Sequence, residues 1–164
     1  MQRPGVCNAL ETLLINSQIY QDMGSSIIEK LLENKVELFV DETIKEDFPN
    51  LNLANESHYE TEFLDLKLAV KVVDTADQAI GHIKVYSSGH TEAILTESKE
   101  VADTFAKSID SSVIFINSST RFTDGEMFGF GSEIGISTQK LHVRGPMGLE
   151  ALTNERYVVT GEGT

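Results

Sequence analysis

The sequence predicts an α/β fold: an open, mostly parallel twisted sheet with helices on both faces. Three observations lead there. Apolar strand-like runs alternate with helical patterns along most of the 164 residues, which is the signature of the class. The first two runs and the helix between them form a β-α-β unit, whose crossover requires parallel strands in one sheet. A later run, Val113-Ile114-Phe115-Ile116, is apolar at every position, as strands covered on both faces are. With 40% apolar and 24% charged residues, the chain can build the core of one compact unit.

Residues 11–15 are nearly all apolar and stop at Asn16-Ser17, so they read as the first strand. Ile19, Met23, Ile27, Ile28, Leu31 and Leu32 then recur at helical spacing, with Asn34 as the stop before a second strand over 36–40. Residues 41–60 are polar, contain Pro49 and show no sustained period, which predicts a connection. A strand over 63–73 follows. Asp74-Thr75-Ala76-Asp77 carries N-cap chemistry for a helix through Val85 that buries Ala76, Ala79, Ile80 and Ile83. After the turn Ser87-Ser88-Gly89-His90-Thr91 come a strand over 92–96, a helix over 99–109 and the buried strand over 113–117.

In open α/β sheets, ligands collect at the carboxyl ends of the strands. The corner around Gly89-His90 and the long stretch from Ser118 to Gln139 fall at such ends. That stretch combines glycines, phenylalanines and Arg121: glycine lets backbone approach a ligand, aromatic rings wall a dry pocket, and arginine clamps an anion. A loop of this length with aromatic content reads as functional. The final residues contain a strand candidate over 156–160.

Net charge is −13 with a sequence pI near 4.6, a field that repels nucleic acid. Glu37, Asp41, Glu42, Glu46 and Asp47 read as a solvated acidic face, whereas the cations Arg121, Lys140, Arg144 and Arg156 come late and could mark where an anion is held. No apolar run approaches the roughly 18 residues a membrane span needs, and no signal-peptide pattern opens the chain. One cysteine excludes an internal disulfide and suits a reducing, cytoplasmic setting.

That cysteine ends a proline-glycine turn, Arg3-Pro4-Gly5-Val6-Cys7. A thiolate presented there attacks carbonyl carbon well, given a helix N-terminus or a nearby cation; the alternative is a small core residue. The glycines of Gly129-Phe130-Gly131-Ser132-Glu133-Ile134-Gly135 approximate a dinucleotide fingerprint but do not follow directly on a strand, so that reading fails. His58, His82, His90 and His142 show no metal-ligand spacing, and no metal is expected. His82 sits in a helix as a structural or surface residue; His90, beside glycine in a turn, is the better site candidate.

Three stretches carry a family resemblance: Arg-Pro-Gly-Val-Cys-Asn-Ala-Leu-Glu-Thr-Leu-Leu at the start, Val73 to Ile94 with its Tyr-Ser-Ser-Gly-His-Thr-Glu-Ala run, and Asn117 to Gly148. They resemble the gamma-glutamyl phosphate reductases (glutamate-5-semialdehyde dehydrogenases), a branch of the aldehyde dehydrogenase superfamily. The resemblance implies an aldehyde-dehydrogenase-like catalytic domain over 1–145. A tail over 146–164 would pair subunits in a homo-oligomer.

It further implies an NADPH-dependent reductase of proline biosynthesis. Cys7 would attack the acyl carbon of L-glutamyl 5-phosphate, expel phosphate and form a thioester; hydride transfer would then release glutamate 5-semialdehyde. The backbone N–H of Cys7 would steady the developing oxyanion. Glu62, in Glu-Phe-Leu, stands where the superfamily has a glutamate for the nicotinamide ribose, although the usual Phe-Gly-Pro continuation is absent; otherwise it is a solvated carboxylate. Substrate contacts would come from His90, Arg121, Phe128 and Ser137, with a surface ion pair as the alternative for Arg121.

In the resembled enzymes a nucleotide-binding domain precedes the nucleophile and holds most of the NADPH. The expectation is therefore a catalytic domain without that nucleotide-binding part and with little reductase turnover alone. The alternatives are a non-enzymatic subunit-association module and a nucleotide-independent cysteine acyl hydrolase.

Overall fold

The computed structural model of the chain describes residues 2–140 and 143–163. A parallel sheet carries strands β1 (Thr12–Asn16), β2 (Glu37–Val40), β3 (Asn52–Leu53) and β4 (Lys67–Val73) in the order β1-β4-β2-β3. The two strands of the β-α-β unit are parallel members of one sheet. They are not neighbours, because β4 inserts between them, with Leu13 opposite Val70 and Leu38 opposite Leu68.

The pleat sends Leu13, Ile15, Leu38, Val40, Leu68 and Val70 to one face. There they meet Ile28 of α2 (Ser25–Glu33), Ile44 of α3 (Glu42–Asp47) and Tyr20. Ile28, Val40, Ile44 and Val70 are fully buried, each contributing about 1.5–3 kcal/mol. On the other face the Phe39 ring stacks on His58 of α4 (Glu56–Glu60) at 4.1 Å and on Phe63 at 5.5 Å. Tyr59 of α4 meets His82 of α5 (Ala76–Tyr86) edge-on at 4.8 Å.

Two local departures have clear causes. Between α1 (Ser17–Ile19) and α2 the helix is π-wound over Tyr20–Gly24. A Cβ on Gly24 would lie 2.3 Å from the Tyr20 ring, which is held in place by its hydroxyl donating to Asp47 at 2.8 Å. Residues 41–60 are not a plain connection, since they contain α3, β3 and α4. One carboxylate explains much of this: Asp41 Oδ1 accepts from Ile44 N–H and caps α3, while Oδ2 accepts from Val72 N–H on β4. Periodicity cannot report such a tertiary anchor.

Beyond α5, β5 (Thr91–Ile94) pairs in parallel with β6 (Val113–Ile116). Ile80, Phe105 and Ile109 form a second apolar cluster there, with Phe105 on α6 (Lys99–Ser108). The β6 strand is only half buried, and Ile116 is exposed; a two-stranded sheet leaves positions uncovered that a wider one would cover. An antiparallel pair, β7 (Ile134–Ile136) and β8 (Gly145–Met147), follows. The strand expected over 156–160 does not form, and Tyr157, Val158 and Val159 lie exposed. A strand needs a hydrogen-bonding neighbour, and that stretch has none among the described residues. No helix among the described residues is long and apolar enough to cross a membrane.

Candidate active site

Cys7 lies in the turn before β1, closed by Ala9 N–H donating to Val6 C=O at 3.0 Å. The residue is exposed, so the reading of a buried core thiol fails. Two cavities meet at it. The larger, about 1230 Å³, runs along β1, α5 and β5 with Glu62 at its edge. The smaller, about 400 Å³, is walled by Arg3, Val6, Asn8, Arg121, Thr123, Asp124, Glu133 and Gly135. Only Cys7 and His90 line both.

A continuous hydrogen-bonded strut underlies the smaller pocket. His90 Nδ1 is 2.7 Å from Thr91 Oγ1, which is 3.0 Å from Thr123 Oγ1. The Thr123 carbonyl accepts from Asn8 Nδ2 at 2.8 Å, and Asn8 Oδ1 accepts from Arg121 Nη1 at 2.9 Å. The Asn8 carbonyl accepts from Thr120 Oγ1 at 2.7 Å. Asn8 and Thr123 are the buried polar residues of the described chain, and each is satisfied, as burial demands. The strut fixes the cysteine turn, the His90 corner and the 3₁₀ turn Thr120–Phe122 to one another.

Although Cys7 is exposed, the walls of the two cavities partly desolvate its thiol; that, then the charges of Glu133 and Glu62, push it above its ordinary value, while its own backbone hydrogen bond and Arg121 pull the other way without prevailing. Of the two activating conditions, a helix N-terminus is not present, since the turn leads into β1, and the nearby cation is outweighed. Burial and the Glu62 charge push Glu11 up to about 7. Burial and Lys71 push His82 down to about 4, and its Nε2 finds no hydrogen-bond partner among the described residues.

Of the residues singled out in the sequence, Cys7, His90 and Arg121 converge on one pocket, and Glu62 flanks the larger cavity. Phe128 and Ser137 do not. The Phe128 ring is 41% exposed against Phe130 and lines neither cavity, because the loop turns outward after delivering Arg121. Ser137 Oγ donates to the Ser88 carbonyl at 3.3 Å, tying β7's end to the His90 corner. Lys140 and Arg144 are engaged with Asp110 and Arg156 lines neither cavity, leaving Arg121 as the late cation that reaches the pocket. His142 lies outside the described residues.

Sequence reasoning missed Asn8, Thr123 and Glu133. An amide directly after the candidate nucleophile is a usable sign for Asn8; Glu133 lies inside the glycine run that fails as a nucleotide motif.

This architecture defines a class. The acetylating aldehyde dehydrogenase of Geobacillus thermoglucosidasius shares the fold at 15% identity, with a TM-score of 0.53 over 73% of this chain and 35% of that one. The chain thus carries an aldehyde-dehydrogenase-like α/β fold. No protein-family model matches it. In sequence it is a homologue of the gamma-glutamyl phosphate reductases. The enzyme of that name from Thermoanaerobacter sp. is 52% identical over 163 residues, 99% of this chain and 39% of its own length. The gamma-glutamyl phosphate reductase structure from Thermotoga maritima superposes with a TM-score of 0.90 at 50% identity, covering 98% of this chain and 39% of that one. The chain therefore spans about two fifths of the relatives it matches.

Proposed function

We propose that the chain is the cysteine-bearing, acyl-capturing part of an NADPH-dependent reductase that converts L-glutamyl 5-phosphate to glutamate 5-semialdehyde in cytoplasmic proline biosynthesis. The observation that carries this reading is the position of Cys7 at the junction of a small charged pocket and a large groove. An acyl group bonded to Sγ would have its own side chain in the first, leaving the second open to a reductant.

Capture is a balanced displacement. The thiol proton passes to solvent, Sγ bonds to the acyl carbon, and the carbon–oxygen bond to phosphate breaks with its electron pair leaving on phosphate. The backbone N–H of Cys7 is the donor this chain offers to the developing oxyanion, and such a donor is typically worth about 3 kcal/mol. His90, its ring fixed through Thr91 and Thr123, stands where both cavities meet and so beside the departing phosphate. Covalent capture holds the carbonyl in place for the second step.

The residues of the groove fit a dinucleotide in part. Glu62 is an exposed carboxylate at its edge and would accept from ribose hydroxyls, while Leu14 and Ala93 give it apolar wall. Bound there, NADPH would supply the hydride. The remaining nucleotide contacts would come from the preceding domain, and the tail over 146–164 would serve subunit pairing.

The test is intact-mass measurement of the chain with L-glutamyl 5-phosphate generated in situ, together with phosphate release. A glutamyl adduct on Cys7 that Cys7→Ser abolishes is expected. Phosphate release without an adduct, unaffected by Cys7→Ser, would overturn the reading.

A further inference from the structure

We propose that the smaller pocket is a receptor for a free α-amino acid end, in which Glu133 holds the α-ammonium and Arg121 the α-carboxylate of the acyl group bound to Cys7. This rests on the acyl-capture reading and adds which part of the donor is recognised, and by what. The argument begins from charge. A pocket of about 400 Å³ beside a nucleophile needs no charge to hold a simple alkanoyl chain, and only a cation to hold a dicarboxylic one. This pocket has both signs.

The two charges are not spent on each other. Among the described residues neither Arg121 nor Glu133 is in an ion pair; each is anchored separately. Arg121 is oriented by Asn8 Oδ1 at 2.9 Å. Glu133 Oε2 accepts from Gly125 N–H at 3.1 Å. Gly125 is buried, and a Cβ there would stand 2.7 Å from Glu133 Cβ and 2.4 Å from Ser132 O. Only glycine lets the Glu133 segment press this close. Asp124, the other carboxylate of the wall, turns Oδ1 onto the N–H groups of Glu126 and Met127, so Glu133 is the better placed to meet a ligand cation. Arg3 adds a second cation to the pocket wall.

Binding and reactivity are then coupled. Glu133 is the leading charge that disfavours the Cys7 thiolate, and a ligand ammonium beside it cancels that effect. The thiol is therefore sharpened when an amino acid donor is in place and stays quieter when it is not.

The test compares S-acylation of Cys7 by the γ-thioester of L-glutamate and by the same thioester of glutaric acid, read by intact mass. In each, the Cys7 thiol proton passes to solvent, a bond from Sγ to the acyl carbon forms and the bond to the leaving sulfur breaks with its electron pair on that sulfur; the leaving thiolate takes a proton from solvent. One charge-assisted hydrogen bond predicts a rate advantage for the glutamyl ester of about tenfold or more. Glu133→Gln should bring the ratio close to one. The N-acetyl glutamyl thioester, which removes the ammonium from the ligand side, should do the same on the unaltered chain. Equal rates for all three esters would overturn the inference while leaving acyl capture standing. Acylation by none would overturn both, and a glutamyl preference that survives Glu133→Gln in a folded variant would overturn the assignment to Glu133.

Discussion

Replacing Asn8 with alanine removes the residue that joins the cysteine turn to the loop 115 positions away. Its amide donates to the Thr123 carbonyl and accepts from Arg121, and it is 5% exposed. Thr123, at 1% exposure, would be left with an unpaired carbonyl, which costs roughly 1–3 kcal/mol. The Arg121 bond is partly exposed and adds about 0.5–1 kcal/mol after screening. The expected loss is therefore about 1.5–4 kcal/mol. With a urea slope near 2 kcal/mol/M, the unfolding midpoint falls by roughly 0.8–2 M. Urea unfolding followed by circular dichroism measures this, with Ser57→Ala as a surface control that loses one exposed hydrogen bond to Asn55. A shift for Asn8→Ala no larger than the control's would mean that the strut is not what holds the two loops together.

The remaining expectations concern packing and charge. Gly125→Ala places a methyl group 2.4 Å from Ser132 O and should cost about 1–3 kcal/mol by overpacking; an unchanged midpoint would refute it. The pH profile of Cys7 alkylation should have its midpoint above that of a free cysteine, because burial, Glu133 and Glu62 all disfavour the thiolate, and Glu133→Gln should move it down. A midpoint below the free-cysteine value in the unaltered chain would contradict that electrostatic account. Glu11 has a folded value raised to about 7 from 4.5, so the folded chain binds the extra proton between those values. Its contribution is fully present below 4.5 and lost as pH rises through 7, so Glu11→Gln should stabilise at pH 8 more than at pH 5. His82 is lowered from 6.5 to about 4: the unfolded chain takes up the proton first, and this contribution is lost as pH falls through 4. An NMR titration showing His82 charging near pH 6.5 would refute it.

Local rules read along the chain are enough to settle some of its features. Thr75 caps its helix with a side-chain oxygen, and the spacing of Ile27, Ile28 and Leu31 builds the helical face that packs on the sheet, while Leu32 of the same pattern faces outward. Such signals act over a few residues, so they can be read in one dimension. The resemblance around Cys7 and His90 was equally legible, because it lies in short contiguous wording. Three-dimensional packing was needed to show that β4 separates β1 from β2, that Glu133 shares a pocket with the thiol, and that Phe128 lies outside it. It also decided the direction in which Cys7 is shifted. Burial and charge act through space, and the distances that govern them are set where chain segments far apart in sequence come to rest against one another.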